Sequence, residues 1–235
     1  MNYSVIIPAA GSGSRMGADV PKVLLRLSEA ALSPSIIQRS VDIFVADPQC
    51  EHVVVCVPSE WKVRFAQELE GRLKVTLTPG GATRQESVRL GVDSLSTLVV
   101  RAGGDLRSTC VLVHDAARCC VSREVIQRVV DGVYAYGAAT AAVPVPDSLC
   151  KVSDESIASF VDREAVWAIQ TPQGFLLEEL RGAHFAARTD GFLALDDASV
   201  VARIRDVKVV EGDRLNIKVT HPRDLAVAAR ISQVG

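Results

Sequence analysis

The stretch VIIPAAGSGSRMGADVPKVLL, from Val5 to Leu25, places a short apolar run directly before a loop of small residues. The apolar run predicts a buried β-strand. A glycine-rich loop after such a strand commonly approaches a phosphate through its backbone N–H groups. One arginine, Arg15, and one lysine, Lys22, follow within the same stretch. Together these features favour a phosphate-binding site over a plain strand-to-helix turn.

The spacing of the glycines excludes two common phosphate-binding motifs. The dinucleotide motif needs Gly-x-Gly-x-x-Gly, but Gly11 and Gly13 are followed by Met16 where the third glycine would stand. The ATPase loop ends in Gly-Lys-Ser/Thr, and the chain contains no Gly-Lys pair. The loop therefore belongs to neither class.

Composition limits the class of protein. The 235 residues suffice for one large α/β domain or two small ones, and their content of 48% hydrophobic and 23% charged residues is ordinary for a globular protein. The formal net charge is −2 without a long basic run, so we expect no nucleic-acid partner. The opening residues MNYSVIIP lack the features of a signal peptide, and no apolar stretch approaches a membrane span.

The chain has six cysteines and four scattered histidines. No Cys-x-x-Cys motif and no His-Glu-x-x-His spacing occurs, which argues against a zinc site. Buried, reduced thiols in a cytoplasmic protein fit this pattern.

Short apolar runs alternate with helical patterns through the first 145 residues. Strands are predicted at Ser4–Pro8, Val53–Pro58, Val75–Thr78, Cys110–His114 and Ala138–Val145. Helices are predicted at Ile36–Ala46, Trp61–Gly71, Thr83–Leu95 and Ser122–Tyr136. This alternation predicts an α/β fold whose mostly parallel sheet is covered by helices on both faces.

The later part of the chain departs from this alternation. Residues 145–166 read as a projecting β-arm, which has too little core to stand alone and is expected to pack on another subunit. Beyond the arm, helices are predicted at Leu176–Arg188, at Asp196–Arg205 and from Thr220 to about Ser232, and strands at Val207–Val210 and Leu215–Val219. We expect residues 1–235 to form one domain.

Further polar residues follow the predicted strands. Asp115 ends a buried strand, where it could hold magnesium or equally serve as a helix cap or a partner of Arg118. GGATRQES, residues 80–87, taken alone favours an ordinary turn into a helix with a Thr83–Glu86 capping box. Arg163 and Lys218 taken alone fit solvated surface cations.

The order and separations of five motifs identify a family more specifically than any one motif does. They are PAAGSGSRMG with PK (residues 8–22), GGATRQES (80–87), VHDAAR (113–118), VDRE with TPQGF (161–175) and NIKVT (216–220). Over about Ser4 to Ala229, the chain resembles the 2-C-methyl-D-erythritol 4-phosphate cytidylyltransferases of the non-mevalonate isoprenoid pathway. The glycine loop is shared with many nucleotidyltransferases, whereas the combination is much more specific.

The resemblance implies a Rossmann-like nucleotidyltransferase fold, dependence on Mg²⁺ and a homodimer with interlocking arms. It implies that CTP and a sugar-alcohol phosphate react to give the CDP-alcohol and pyrophosphate. Arg15 and Lys22 would be catalytic, and Asp115 would lie near the metal. The nucleotide-binding residues would be Pro8, Ala9, Ala10, Gly11, Ser12, Gly13, Gly81, Ala82, Ser87, Ala116 and Lys218. The substrate-binding residues would be Ser148, Arg163, Thr171 and Lys218, with Arg163 reaching in from the other subunit's arm.

The chain departs from the family pattern at four positions. Ser148 stands where threonine is usual and keeps the hydroxyl, and Cys119 and Val23 replace a proline and a glutamine. Leu195 stands where threonine is usual and cannot donate a hydrogen bond, which leaves one substrate contact open. None of these changes removes a charged residue.

Two alternatives remain at the level of sequence. A ribitol or glycerol phosphate cytidylyltransferase would share the glycine loop and the Thr-Pro-Gln segment, but VDRE and VHDAAR favour the erythritol enzyme. A catalytically silent nucleotide-binding module would explain the loop, but not the charged residues that accompany it.

Overall fold

The computed structural model describes residues 1–11, 20–30 and 33–234. Its strands are β1 (Tyr3–Pro8), β2 (Cys50–Val57), β3 (Val75–Pro79), β4 (Cys110–Val113), β5 (Ala138–Pro144), β6 (Leu149–Ser153), β7 (Ser156–Val161), β8 (Trp167–Leu176) and β9 (Lys208–Glu211). Its helices are α1 (Ile36–Val45), α2 (Lys62–Glu68), α3 (Arg84–Arg101), α4 (Arg123–Tyr136), α5 (Leu177–Thr189), α6 (Asp197–Val201) and α7 (Pro222–Val234).

A seven-stranded sheet forms the centre of the fold, in the order β3-β2-β1-β4-β8-β5-β9. The pairs β1–β2, β1–β4, β2–β3 and β5–β9 are parallel. Only β8 runs the other way, antiparallel to both β4 and β5. The predicted α/β class with a mostly parallel sheet is therefore confirmed.

Helices cover both faces of the sheet. Successive side chains of a strand point to opposite faces, so a continuously apolar strand presents apolar groups on both faces that must be buried. Val5 and Ile7 pack into a core with residues of α1 and α4, whereas Ile6 packs into a second core with residues of α3 and α5. Gly91 of α3 allows close packing on β1, since a Cβ there would lie 2.5 Å from Ile6 Cγ2. Both faces of the sheet are therefore buried from solvent, as the continuous apolar strands predict.

Side-chain caps begin the long helices near their predicted positions. Ser35 forms a full capping box with Gln38 at the start of α1, and the Ser122 hydroxyl accepts from the Val125 N–H at the start of α4. The Thr83 hydroxyl likewise accepts from the Glu86 N–H, at 3.0 Å. The Glu86 carboxylate, however, accepts from the Ala82 N–H and not from Thr83, so only half of the predicted box is present.

Three segments differ from their predicted structure. The helix predicted at Asp196–Arg205 is helical only over Asp197–Val201. The chain returns from the arm as a ten-residue strand, β8, whereas the sequence QTPQGF suggested at most a strand edge with a proline. The strand predicted at Leu215–Val219 is wrong, because this segment is irregular. Its Val219 N–H donates to the Ala117 carbonyl, and its Asn216 carbonyl accepts from Arg118 Nη1. These backbone groups are therefore satisfied without a sheet ladder.

Within the described residues, no helix combines the length and the apolar character needed to cross a bilayer. The parallel strands β1, β2, β3 and β4 end at one edge of the sheet. The loops that follow them therefore meet there, which is where ligands bind in folds of this kind.

Candidate active site

A cleft of about 340 Å³ opens at the carboxyl edge of β1, β3 and β4. Eleven lining residues were predicted from the sequence: Pro8, Ala9, Ala10, Gly11, Lys22, Gly81, Ala82, Ser87, Asp115, Ala116 and Lys218. The other four lining residues are Val23, Thr83, Arg84 and Ala117. The structure thus brings together, across more than two hundred residues of chain, most of the predicted nucleotide site.

Small side chains form the floor of the cleft where the loops after β1 and β3 meet. A Cβ on Gly80 would lie 2.3 Å from Ala10 Cβ, so the two loops touch only because residue 80 is glycine. The Ser87 hydroxyl accepts from the Gly81 N–H at 3.1 Å and donates to the Thr83 carbonyl at 2.9 Å. Ser87 therefore holds the loop in shape.

Lys22 enters the cleft from a short 3₁₀ turn, Lys22–Leu24, that follows Pro21. Its Nζ donates to the Val219 carbonyl at 2.9 Å, which ties the first loop to the segment beyond β9. Val23 and Leu24 are buried and anchor the turn in the core beneath. The lysine is thus carried on a fixed piece of backbone.

Each carboxylate oxygen of Asp115 forms an ion pair with a different cationic side chain. Lys218 Nζ lies 2.7 Å from Oδ2, and Arg84 Nε lies 2.9 Å from Oδ1. Burial alone would raise the pKa of Asp115, but the two cations outweigh it and hold the pKa well below its usual range. Asp115 is therefore ionised, and its charge fixes the position of Lys218 at the rim.

Thr171 and His114 support Asp115 from below. The Thr171 hydroxyl accepts from the Asp115 N–H at 3.0 Å and lies 3.2 Å from His114 Nδ1. Burial lowers the pKa of His114 to about 4, so the ring is neutral at pH 7. His114 Nε2 donates to the Arg118 carbonyl at 3.0 Å, which leaves Nδ1 to accept from Thr171. Thr171 is buried beneath the cleft, and its predicted contact with substrate stays a prediction.

The remaining predicted site residues lie elsewhere. Ser148 and Arg163 are exposed at the base of the arm, where Arg163 Nη1 donates to the Pro146 carbonyl at 3.0 Å. Arg15, Ser12 and Gly13 fall outside the described residues. Leu195 is 95% exposed and does not line the cleft.

Two charged residues of the site have no clear signal in the sequence. Arg84 stands in GGATRQES, a motif that taken alone favours an ordinary turn into a helix, and its Nη1 donates to Asp197 Oδ2 at 2.7 Å. Asp197 is 1% exposed, in a short helix that the chain reaches after α5. A buried carboxylate can be recognised only when its partner is known, because its sequence neighbours resemble those of any helix start.

The potential metal ligands in the cleft fit a magnesium ion that takes most of its ligands from substrate. Asp115 is the one carboxylate among the described lining residues. No group of three potential metal ligands occurs in the described ranges, so these residues supply no complete cage. Mg²⁺ commonly binds through one or two carboxylates, water and substrate phosphates, which matches a single aspartate beside a cleft of about 340 Å³.

The sequence matches the family model of 2-C-methyl-D-erythritol 4-phosphate cytidylyltransferase over residues 3–233. The chain belongs to this family. The enzyme of that name from Geobacillus kaustophilus is 39% identical, with 98% of this chain and 97% of the relative aligned. The Bacillus licheniformis enzyme is 38% identical, over 98% of this chain and 96% of the relative.

Solved structures of the family superpose on nearly the whole chain. The cytidylyltransferase of Thermus thermophilus covers 99% of this chain and 100% of its own, with a TM-score of 0.79 and 35% identity. That of Francisella tularensis covers 98% and 100%, with a TM-score of 0.82 and 26% identity. The Rossmann-like nucleotidyltransferase fold and the resemblance inferred from the motifs are thereby confirmed. Neither the ribitol or glycerol phosphate alternative nor the silent module is favoured by these matches.

Proposed function

We propose that this chain transfers the cytidylyl group of CTP to 2-C-methyl-D-erythritol 4-phosphate, releasing pyrophosphate and forming 4-diphosphocytidyl-2-C-methyl-D-erythritol. The observation that carries the proposal is the cleft of a family member in which Lys22 and Lys218 flank a floor of small residues. A neutral floor allows a nucleotide to approach the backbone, and the two lysines supply positive charge for its phosphates.

The reaction needs little acid–base chemistry from the protein. The acceptor is a phosphate monoester whose second pKa is about 6, so it is largely a dianion at neutral pH. One of its oxygens attacks the α-phosphorus of CTP and forms a new P–O bond. The bond from the α-phosphorus to the α,β-bridging oxygen breaks, and pyrophosphate leaves with that electron pair. No general base is required, and buried, neutral His114 is not placed to act as one.

The obstacle to this reaction is repulsion between two polyanions, and the cations of the cleft offset it. Lys22 would stabilise the charge that develops around the α-phosphorus and on the leaving pyrophosphate, together with Arg15. Lys218, fixed by Asp115, would hold the phosphate of the acceptor or nucleotide. When bound, Mg²⁺ would supply further charge neutralisation, with Asp115 as its ligand from the protein.

The shape of the arm supports a homodimer. In the hairpin of β6 and β7, Cys150 lies opposite Phe160 and Val152 opposite Ile157. Directly paired residues share a face, and the register shift between these pairs, where β7 has one extra residue, keeps all four on the same face. Phe160 is 78% exposed, so an apolar face lies open on a hairpin with little core of its own.

The second subunit would complete the substrate site. Arg163 lies at the base of the arm and does not line the cleft of its own chain. Packing of two arms would carry Arg163 and Ser148 toward the other subunit's cleft, where an arginine and a hydroxyl could bind the acceptor phosphate. A cytoplasmic location is proposed from the cysteines, which are all free and, except for Cys150, buried.

The decisive experiment measures pyrophosphate release by the purified protein with Mg²⁺ and CTP. Methylerythritol phosphate, ribitol phosphate, glycerol phosphate or no acceptor is added in parallel. Release with methylerythritol phosphate alone is the expected result. Release with ribitol or glycerol phosphate instead would contradict the proposed acceptor. CTP binding without release for any acceptor would contradict the proposed reaction.

A further inference from the structure

A chain of paired polar side chains runs from the cleft into the interior of the protein. Lys218 pairs with Asp115, Asp115 with Arg84, Arg84 with Asp197, and Asp197 with His184. The distances between the paired nitrogen and oxygen atoms lie between 2.7 and 3.0 Å. The outer three residues line the cleft, whereas Asp197 and His184 do not.

Arg84 is shared between two carboxylates on opposite sides. Nε donates to Asp115 Oδ1 at the cleft, and Nη1 donates to Asp197 Oδ2 behind it. Burial would lower the pKa of Arg84, but Asp197 and Asp115 outweigh that effect and raise it. A guanidinium that bonds through two edges has one orientation. Asp197 therefore determines how Arg84 presents Nε to Asp115.

Asp197 is itself held firmly at the first turn of α6. Its Oδ1 accepts from His184 Nε2 at 3.0 Å, and both side chains are 1% exposed. Gln173 of β8 donates to Asp196 Oδ2 at 2.9 Å and accepts from the Ala198 N–H at 2.9 Å. The neighbours of Asp197 on both sides are thus fixed to the central sheet, and Asp197 forms a rigid anchor.

We propose that Asp197, supported by His184, is a positioning residue for nucleotidyl transfer, acting through Arg84 and Asp115 on Lys218. Without the Asp197 carboxylate, Arg84 keeps only its bond to Asp115 and can rotate about it. Asp115 then loses its fixed orientation, and the Lys218 ammonium loses its place at the rim of the cleft. This inference rests on the proposed function only where kcat/KM is the measured quantity.

The first test compares wild-type protein with Asp197→Asn, a substitution that keeps the volume and removes the charge. We expect kcat/KM to fall roughly 10- to 100-fold, as is typical when a group in the site is misplaced by about 1 Å. Measuring single turnovers with excess enzyme keeps slow variants within range. CTP affinity is measured on the same proteins by calorimetry and requires no turnover.

A double-mutant cycle distinguishes positioning from simple loss of stability. Lys218 has a side chain that is 41% exposed, so Lys218→Ala is expected to fold. If Asp197 acts through Lys218, Asp197→Asn should change kcat/KM and CTP affinity by no more than about two-fold in the Lys218→Ala background. Equal losses in both backgrounds would overturn the proposal, as would unchanged kinetics in Asp197→Asn.

Glu68→Gln is the matched control, since Glu68 is also a buried carboxylate paired with an arginine, Arg64, at 2.7 Å. Glu68 lies in α2 and does not line the cleft, so Glu68→Gln is expected to lower the stability of the fold without lowering kcat/KM.

His184→Leu is the second variant, for use if Asp197→Asn fails to fold, and it removes the hydrogen bond that supports Asp197. We expect it to lower kcat/KM and CTP affinity less than Asp197→Asn does. This smaller loss should also disappear in the Lys218→Ala background. Wild-type protein that binds CTP but releases no pyrophosphate would count against the proposed function, and the CTP-affinity cycle would still decide this inference.

Discussion

At the scale of single residues, the cleft depends on side chains that are fixed by distant parts of the chain. Lys22 Nζ bonds to the carbonyl of Val219, 197 residues further along. Lys218 Nζ bonds to Asp115, 103 residues before it. Charges held in this way need little reorganisation when a polyanion binds, which is the property that preorganised electrostatic catalysis requires.

Lys22→Ala should therefore reduce turnover more than binding. We expect kcat to fall roughly 10²-fold or more, because the charge that stabilises the transition state is removed. Arg15→Ala carries the same expectation from the sequence. Steady-state kinetics with CTP and methylerythritol phosphate measure the effect, and Lys62→Ala, at an exposed position of α2, is the control. Normal turnover in Lys22→Ala would remove this lysine from the mechanism.

His114 makes the stability of the fold depend on pH. Its pKa is lowered to about 4 from 6.5 by burial, so as the pH falls the unfolded chain takes up this proton before the native protein does. The free energy of unfolding should consequently decrease from about pH 6.5 down to about pH 4. The contribution of this one group amounts to roughly 3 kcal/mol.

Urea unfolding at several pH values between 4 and 7 measures this dependence. His114→Gln should flatten it in that range, since glutamine does not titrate. His221→Gln changes an exposed histidine and should keep the wild-type slope. An identical slope in His114→Gln and wild type would show that other groups cause the dependence.

At the scale of elements, the cleft exists because the loops after β1 and β3 approach each other closely. Gly80→Ala would place a Cβ 2.3 Å from Ala10 Cβ and 3.1 Å from Ser87 Oγ. The two loops must then separate, which we expect to cost about 1–3 kcal/mol of stability and to weaken CTP binding. Thermal unfolding and calorimetric titration with CTP measure the two effects.

Gly182→Ala is the matched control in α5, where an added Cβ meets nothing within 4 Å. Alanine is the better helix former, so this variant should gain about 0.5–1 kcal/mol and keep its CTP affinity. Equal CTP affinity in Gly80→Ala and wild type would mean that the contact between the loops does not shape the nucleotide site.

At the scale of the whole molecule, the open face of the arm predicts the state of assembly. Phe160→Asp places a charge in the proposed dimer contact and should weaken association at least roughly 10²-fold, as loss of a central apolar contact does. Sedimentation equilibrium over a range of concentrations measures it. Leu73→Asp alters a side chain that is 99% exposed elsewhere and should leave the assembly unchanged. A monomeric wild-type protein would contradict the dimer proposal.

The pattern of elements was largely predictable where local sequence determines structure. The predicted strands Ser4–Pro8 and Cys110–His114 lie within one residue of β1 and β4, because continuous apolar runs have few alternatives in a two-faced sheet. The full ten-residue length of β8 was not predicted, because Gln170 and Gln173 resemble surface residues. In the fold both are buried and bonded, Gln173 to α6 and Gln170 to the Asp213 carbonyl.

By itself, the sequence determined the class of fold, the family and most of the cleft, since strand ends carry their loops to one edge whatever else the chain does. Only the tertiary structure decided which charges meet there. Arg84 and Asp197 are 113 residues apart, and nothing local marks them as partners. A buried charge is tolerated only beside its counter-charge, and which counter-charge it finds depends on how distant segments pack.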